Sequence, residues 1–129
     1  DGALSLSRCV KSKGIKVAVC TNNSSYTAIS ILRELNLLDL IDVIVTRDDV
    51  ERLKPYPDPL LLVCSKLKIS PNEALFIGDS LVDLLAAKAA GTKFILISRS
   101  PIPQTMEANK DFVFEKVSSL DEVKKFVGC

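Results

Sequence analysis

Ala74-Leu75-Phe76-Ile77, then Gly78-Asp79-Ser80, then Leu81 through Ala90 closed by Gly91, is the stretch that decides the fold. Its first four residues are an apolar run of strand length. Gly78-Asp79-Ser80 ends that run with turn and helix-capping residue types, and Gly91 follows an Ala/Leu-rich segment where a helix would close. A strand that runs directly into a helix is half of a βαβ unit. The Leu81, Leu84 and Leu85 set, with Ala86, Ala87, Ala89 and Ala90, reads as core packing.

The same alternation extends in both directions. Ala3 to Lys13 reads as a helix with Leu6, Cys9 and Val10 on one face, stopped by Gly14. Ile15 to Cys20 is a nearly all-apolar strand, expected to be covered on both faces. Thr21-Asn22-Asn23-Ser24-Ser25 is a polar turn into a helix through about Asn36 that carries Ile29, Leu32 and Leu35. Val43-Ile44-Val45 is the next strand, and a charged loop runs from Arg47 to Lys54. Asp58 and Pro59 have the N-cap and first-turn chemistry of a helix whose buried stripe is Leu60, Cys64 and Leu67. Phe94 to Ile97 is a fourth strand, and Phe112-Val113-Phe114 is expected as a short fifth at an edge. Ser119-Leu120-Asp121-Glu122 has the capping-box pattern of a last helix with Val123, Phe126 and Val127 apolar. The 101–110 stretch is a linker-like loop. Strands alternating with helices in this way predict a single α/β domain over 1–129, three-layered, with a mostly parallel sheet.

Composition narrows the chemistry. The chain has 129 residues, 17 Lys+Arg against 16 Asp+Glu, and 47% hydrophobic residues. A formal charge of +1 provides no field for nucleic acid or an acidic membrane. No apolar run reaches the ~18–20 residues that span a bilayer, and no signal-peptide pattern is visible. The absence of histidine rules out a Ser/His/Asp triad, a Cys/His dyad and a His-based zinc site. Cys9, Cys20, Cys64 and Cys129 show no CxxC or metal spacing, and Cys9, Cys20 and Cys64 fall in apolar segments. Reduced, structural thiols and a cytoplasmic setting are therefore expected.

Ligands of open parallel sheets bind beyond the carboxyl ends of the strands. Thr21 and Asn22 stand there after the first strand, at a helix N-terminus that suits phosphate. Lys54, stiffened by Pro55 and Pro57, follows the second strand as a point charge. Asp79 and Asp83 follow the third and can face one crevice, as hard oxygen donors that suit Mg²⁺ rather than zinc. Each has a plainer use: Asp79 or Ser80 as a cap, Asp83 as a complement to the helix dipole, Thr21 to Ser25 as a capping turn, Lys54 as a solvated lysine. Their convergence at one sheet edge, from separate loops, favours chemistry.

These residues resemble the haloacid dehalogenase superfamily of phosphohydrolases, in its phosphoglycolate phosphatase and β-phosphoglucomutase-like branch. The likeness covers Gly2 to about Val127. Phe76 to Gly91 is similar to the fourth motif of that family and the helix after it, Lys54-Pro55-Tyr56-Pro57-Asp58 to the third, and Val17 to Asn23 to the second. The resemblance implies a Rossmann-like fold and an Mg²⁺-dependent phosphatase or phosphomutase that acts on a small phosphorylated metabolite through an aspartyl-phosphate. Thr21 would hydrogen-bond a phosphoryl oxygen, helped by the Asn22 backbone N–H. Lys54 would offset charge. Asp79 would bind Mg²⁺, and Asp83 would bind it directly, through water, or would hold Lys54.

The first motif of the family, a strand ending in Asp-x-Asp-Gly that carries the nucleophile, has no counterpart here. Asp1-Gly2 has no apolar strand before it and reads as the loop entering the first helix. The first motif and the cap domain are expected upstream of this chain. In the family that strand is central, between the strand ending at Cys20 and the one ending at Ile77. The chain should then pair these two directly, or leave an apolar slot for a complementary N-terminal segment or self-association. A non-catalytic binding or regulatory module is the alternative function. A receiver-like phospho-acceptor ranks below both, because no acidic cluster follows the first strand.

Overall fold

The computed structural model describes residues 2–109 and 111–129. Asp1, read above as part of the loop entering the first helix, and Lys110, at the end of the 101–110 loop, lie outside them. Among the described residues the α-helices α1 (Ala3–Ser12), α2 (Ser25–Glu34), α3 (Asp58–Leu67), α4 (Leu81–Ala90), α5 (Gln104–Glu107) and α6 (Leu120–Val123) alternate with strands. These are β1 (Ala18–Cys20), β2 (Val43–Val45), β3 (Leu75–Gly78), β4 (Lys93–Ile97) and β5 (Glu115–Val117).

Every strand pairing is parallel, as the βαβ alternation requires. The strands nevertheless form two separate ladders, β1-β2 and β3-β4-β5. β1 and β3 do not pair with each other. Of the two arrangements expected from the sequence, the structure has the open slot. The consequence shows in burial. Val45, Leu96, Ile95 and Phe94 are sealed, whereas every residue of β1 and β3 is only half-buried. The run from Ile15 was expected to be a strand covered on both faces. Its paired part is only Ala18–Cys20, and Ile15 is exposed, because the ladder has a neighbour on one side alone.

Packing falls into two clusters, one on each side of the sheet. Leu60 of α3, Leu84, Ala86 and Ala87 of α4, and Phe94 form the first, with Phe76 and Cys20 against it. Leu6 and Val10 of α1, Val123 of α6, Ile95 and Val117 form the second, with Val17, Leu75 and Ile77 against it. α4 keeps its predicted bounds. The Ser80 hydroxyl accepts from the Asp83 N–H at its start, and Gly91 closes it at φ 83°, a left-handed conformation that favours glycine.

Several expectations are corrected. The fifth strand is Glu115–Val117, not Phe112–Phe114; the two phenylalanines instead stack beside Phe94 as a cover for the core. Leu35 is exposed, and α2 buries Ala28 and Leu32. Asp58 is the first helical residue of α3 rather than its cap, and its carboxylate pairs with Arg52 at 3.0 Å. The Ser119 hydroxyl caps nothing; Glu122 accepts instead from the Ser118 N–H.

The cysteines differ as well. Cys9 and Cys129 form a disulfide, while Cys20 and Cys64 are free thiols. The fold brings the first pair together because α1 packs on α6 and the Lys124 ammonium donates to the Ser5 hydroxyl at 2.8 Å. No composition argument sees a pairing that tertiary packing creates.

Among the described residues no helix is long and apolar enough to cross a membrane. Two measurements check this account of the fold. A link across 120 residues constrains the unfolded chain strongly, so Cys129→Ser should lower unfolding stability by about 2–5 kcal/mol in non-reducing buffer and change nothing under reductant. Asp42 accepts from the Lys11 ammonium at 2.7 and 2.8 Å and from the Val17 N–H, which holds its carboxyl below the ordinary 3.8. A lowered value favours folding above 3.8 and is lost as pH falls through it. The stability difference between wild type and Asp42→Asn should therefore be flat at neutral pH and shrink in acid.

Candidate active site

At the carboxyl ends of β1 and β3 lies an open cavity of about 400 Å³ lined by Cys20, Lys54, Phe76, Gly78, Asp79 and Asp83, among others. The carboxyl end of a parallel strand is where the chain turns away and leaves room, so the fold itself creates this space. Three of the residues singled out from the sequence, Lys54, Asp79 and Asp83, meet in it.

Lys54 and Asp83 are the closest of these. The Lys54 Nζ lies 2.7 Å from Asp83 Oδ1, and both side chains are 10% exposed. The ammonium also sits 5.3 Å from the centre of the Phe76 ring and donates to the Cys20 carbonyl at 3.4 Å. The other oxygen of Asp83 accepts from the Asp79 N–H at 3.1 Å. Of the roles open to Asp83 from the sequence, holding Lys54 is the one this geometry supplies.

Gly78 makes that placement possible. A Cβ there would lie 2.5 Å from the Asp83 Cβ and 2.6 Å from its Oδ2, closer than atoms can approach. The carboxylate therefore folds back over the turn only because position 78 has no side chain.

Asp79 is exposed, and its carboxylate has no hydrogen bond or ion pair among the described residues. It is the open oxygen donor of the site. Burial pushes the Cys20 thiol up to about 11, against the Lys54 charge and with the Asp83 charge.

Thr21 and Asn22 occupy the neighbouring loop. The Thr21 hydroxyl oxygen accepts from the Asn23 N–H at 3.1 Å, which leaves its own proton to donate. The Asn22 backbone N–H has no acceptor among the described residues. Its side chain does something the sequence reading missed. Asn22 Nδ2 donates to the Lys54 carbonyl at 3.2 Å and Oδ1 accepts from the Lys54 N–H at 3.2 Å. This two-bond clamp fixes the lysine backbone from the loop after β1. The amide next to a candidate phosphate loop was the available signal, but only the fold shows which backbone it grips.

The site is thus positioned twice, by Asn22 at the Lys54 backbone and by Asp83 at its ammonium. Gly78→Ala should push Asp83 off the turn and break the ion pair. Side-chain NMR of Lys54 should show the loss of its carboxylate contact, with a stability cost of about 1–3 kcal/mol from overpacking. Ser80→Ala should cost about 1 kcal/mol of cap stability while the pair remains.

The chain is similar to several known proteins. Pyrophosphatase PpaX of Bacillus thuringiensis is 37% identical over 113 residues, covering 86% of this chain and 52% of that protein. Phosphoglycolate phosphatase of Escherichia coli is 40% identical over 82 residues, 64% of this chain and 32% of that one. The crystal structure of a HAD-superfamily hydrolase from Ehrlichia chaffeensis superposes with a TM-score of 0.83 at 26% identity, over 99% of this chain and 57% of that one. The chain spans about half or less of the length of the curated relatives. A family model of haloacid dehalogenase-like hydrolases matches residues 1–97, and the chain belongs to that family.

Proposed function

We propose that this chain forms part of a cytoplasmic, Mg²⁺-dependent phosphatase or phosphomutase that acts on a small phosphorylated metabolite through an aspartyl-phosphate. The observation that carries the reading is the largely buried pairing of Lys54 with Asp83 beside an Asp79 carboxylate that has no partner among the described residues, at the carboxyl end of a parallel sheet. Phosphoryl transfer is mostly positioning and charge neutralisation, and these residues supply both.

The residues divide the work as follows. The Thr21 hydroxyl and the Asn22 N–H donate to phosphoryl oxygens. Lys54 neutralises charge that builds on the phosphoryl group, and Asp83 keeps its ammonium aimed. Asp79, with Asp83 adjacent, would hold Mg²⁺, a hard cation that takes carboxylate oxygens and keeps several waters. The donors present fit it: carboxylate oxygens and no histidine. When bound, the ion would offset phosphoryl charge.

The covalent step needs a nucleophile. Of the carboxylates lining the cavity, Asp83 is engaged by Lys54 and Asp79 is the metal candidate. The family resemblance assigns the nucleophile to an aspartate at the end of a further strand, between β1 and β3. Its carboxylate oxygen would bond to phosphorus as the bond to the leaving oxygen breaks, and water would then hydrolyse the acyl phosphate.

In this reading the 129-residue chain hydrolyses p-nitrophenyl phosphate with Mg²⁺ at no more than background rate. It still binds Mg²⁺ by calorimetry, and Asp79→Asn weakens that binding by about tenfold or more. Lys54→Met weakens binding of inorganic phosphate in the presence of Mg²⁺. Substantial turnover that survives Asp79→Asn would contradict the assignment.

A further inference from the structure

In the phosphatase reading, Thr21 and Asn22 from the loop after β1 act on the same phosphoryl group as Lys54 from the loop after β2. Groups on separate loops cooperate only when the loops keep a fixed register, since a shift of about 1 Å can cost about a hundredfold in rate. Asn22 holds one end of that register, at the Lys54 backbone. The other end lies where both loops leave their strands, and there a side chain outside the phosphoryl chemistry stands between them.

Thr46 directly follows β2 and is 1% exposed, although it is polar. A buried hydroxyl is costly unless it is bonded, and this one is bonded three times. Its oxygen lies 2.6 Å from the Ser25 hydroxyl, on the first turn of α2. It accepts from the Asp48 N–H at 3.2 Å, and it donates to Asp49 Oδ2 at 3.2 Å. With its proton given to Asp49, Thr46 receives the short contact and Ser25 is the donor. Asp49 Oδ2 also accepts from the Thr46 N–H at 2.8 Å, which fixes the residue at its backbone as well.

The plainer use of Thr46 is to cap the short 3₁₀ turn Arg47–Asp49. That accounts for the bonds to Asp48 and Asp49, but not for the contact with Ser25, which belongs to a different element. Neighbouring bonds cross in the same direction. Asp48 Oδ2 accepts from the Ser25 N–H at 2.9 Å, and the Asn23 carbonyl accepts from the Arg47 N–H at 3.0 Å. The Val45 carbonyl accepts from the Thr21 N–H at 3.0 Å. Each residue from Val45 to Asp48 therefore bonds to the segment Thr21 to Ser25. The contacts of Thr46, Arg47 and Asp48 lie beyond the last ladder pair, Cys20 with Val45, so strand pairing does not by itself set them.

We propose that Thr46 is a positioning residue of the phosphate site, whose buried hydroxyl, through Ser25, sets the Thr21–Asn22 loop in register with Lys54. The proposal rests on the phosphatase reading for what the register serves, whereas the register itself is a matter of hydrogen bonds.

The test compares Thr46→Val, which keeps the shape and removes the hydroxyl, with Thr46→Ser, which keeps the hydroxyl. Amide exchange of the full chain is followed without ligand, and binding of inorganic phosphate is measured by calorimetry with Mg²⁺. Thr46→Val should speed exchange by about tenfold at Ser25 and also at Lys54, eight residues away, where the Asn22 clamp loosens. It should weaken phosphate binding by about tenfold, and Thr46→Ser should restore both. Unchanged exchange at Lys54 in Thr46→Val would overturn the proposal and leave Thr46 a local cap. Equal losses in both variants would overturn it too, because the methyl rather than the hydroxyl would then matter. If the wild type binds no phosphate, the phosphatase reading fails, and exchange at Lys54 still decides the register. If the wild type binds phosphate and Thr46→Val binds it as tightly, the reading stands and the proposal fails. Should Thr46→Val not fold, Ser25→Ala removes the same contact from the α2 side, with the same result expected at Lys54.

Discussion

The Lys54–Asp83 ion pair ties the two ladders together at the mouth of the site. Lys54 arrives on the loop after β2, and Asp83 stands on the first turn after β3, in the other ladder. With each side chain only 10% exposed, their 2.7 Å contact lies where water screens little. Taking two charges out of water is expensive, and such pairs rarely add net stability over apolar packing. Their presence here is better explained by position. A buried ammonium with one carboxylate partner cannot wander, and the gap between the ladders provides no strand to align the two halves. The surrounding details serve this contact. Gly78 makes room for Asp83, Asn22 fixes the Lys54 backbone, and the Phe76 ring faces the ammonium.

The fold was legible in the sequence wherever local chemistry and burial agree. Leu81 to Ala90 has strong helix formers, a serine cap and a closing glycine, and each device points to the same boundaries. Val43-Ile44-Val45 is β-branched throughout and ends fully buried at Val45. Where the local pattern misled, tertiary packing had taken the residue for another purpose. Phe112 and Phe114 look like strand residues, yet their rings close the core beside Phe94. The real edge strand hides because Glu115 and Lys116 face solvent and only Val117 is buried. The disulfide between Cys9 and Cys129 was illegible for a related reason: its partners are distant in sequence and meet only because α1 and α6 pack together.

The candidate site divides in the same way. That Lys54, Asp79 and Asp83 meet at one sheet edge was legible because parallel-sheet topology dictates where the ends of strands meet. The side-chain role of Asn22 was not, since an asparagine in a polar turn has many possible partners. Nor does the sequence choose between Asp83 as a ligand and Asp83 as a brace. That choice depends on whether the lysine reaches it, which rests on the backbone placement that Asn22 imposes.

The slot and the site are not separate features. Cys20 ends the open edge of β1, and its carbonyl is held by the same ammonium that pairs with Asp83. Its thiol, buried enough to be pushed up to about 11, packs in the apolar cluster with Phe76 across the gap. The open edge of β1 is thus also a wall of the pocket that holds Lys54 and Asp83, so whatever fixes that edge fixes the charged site with it.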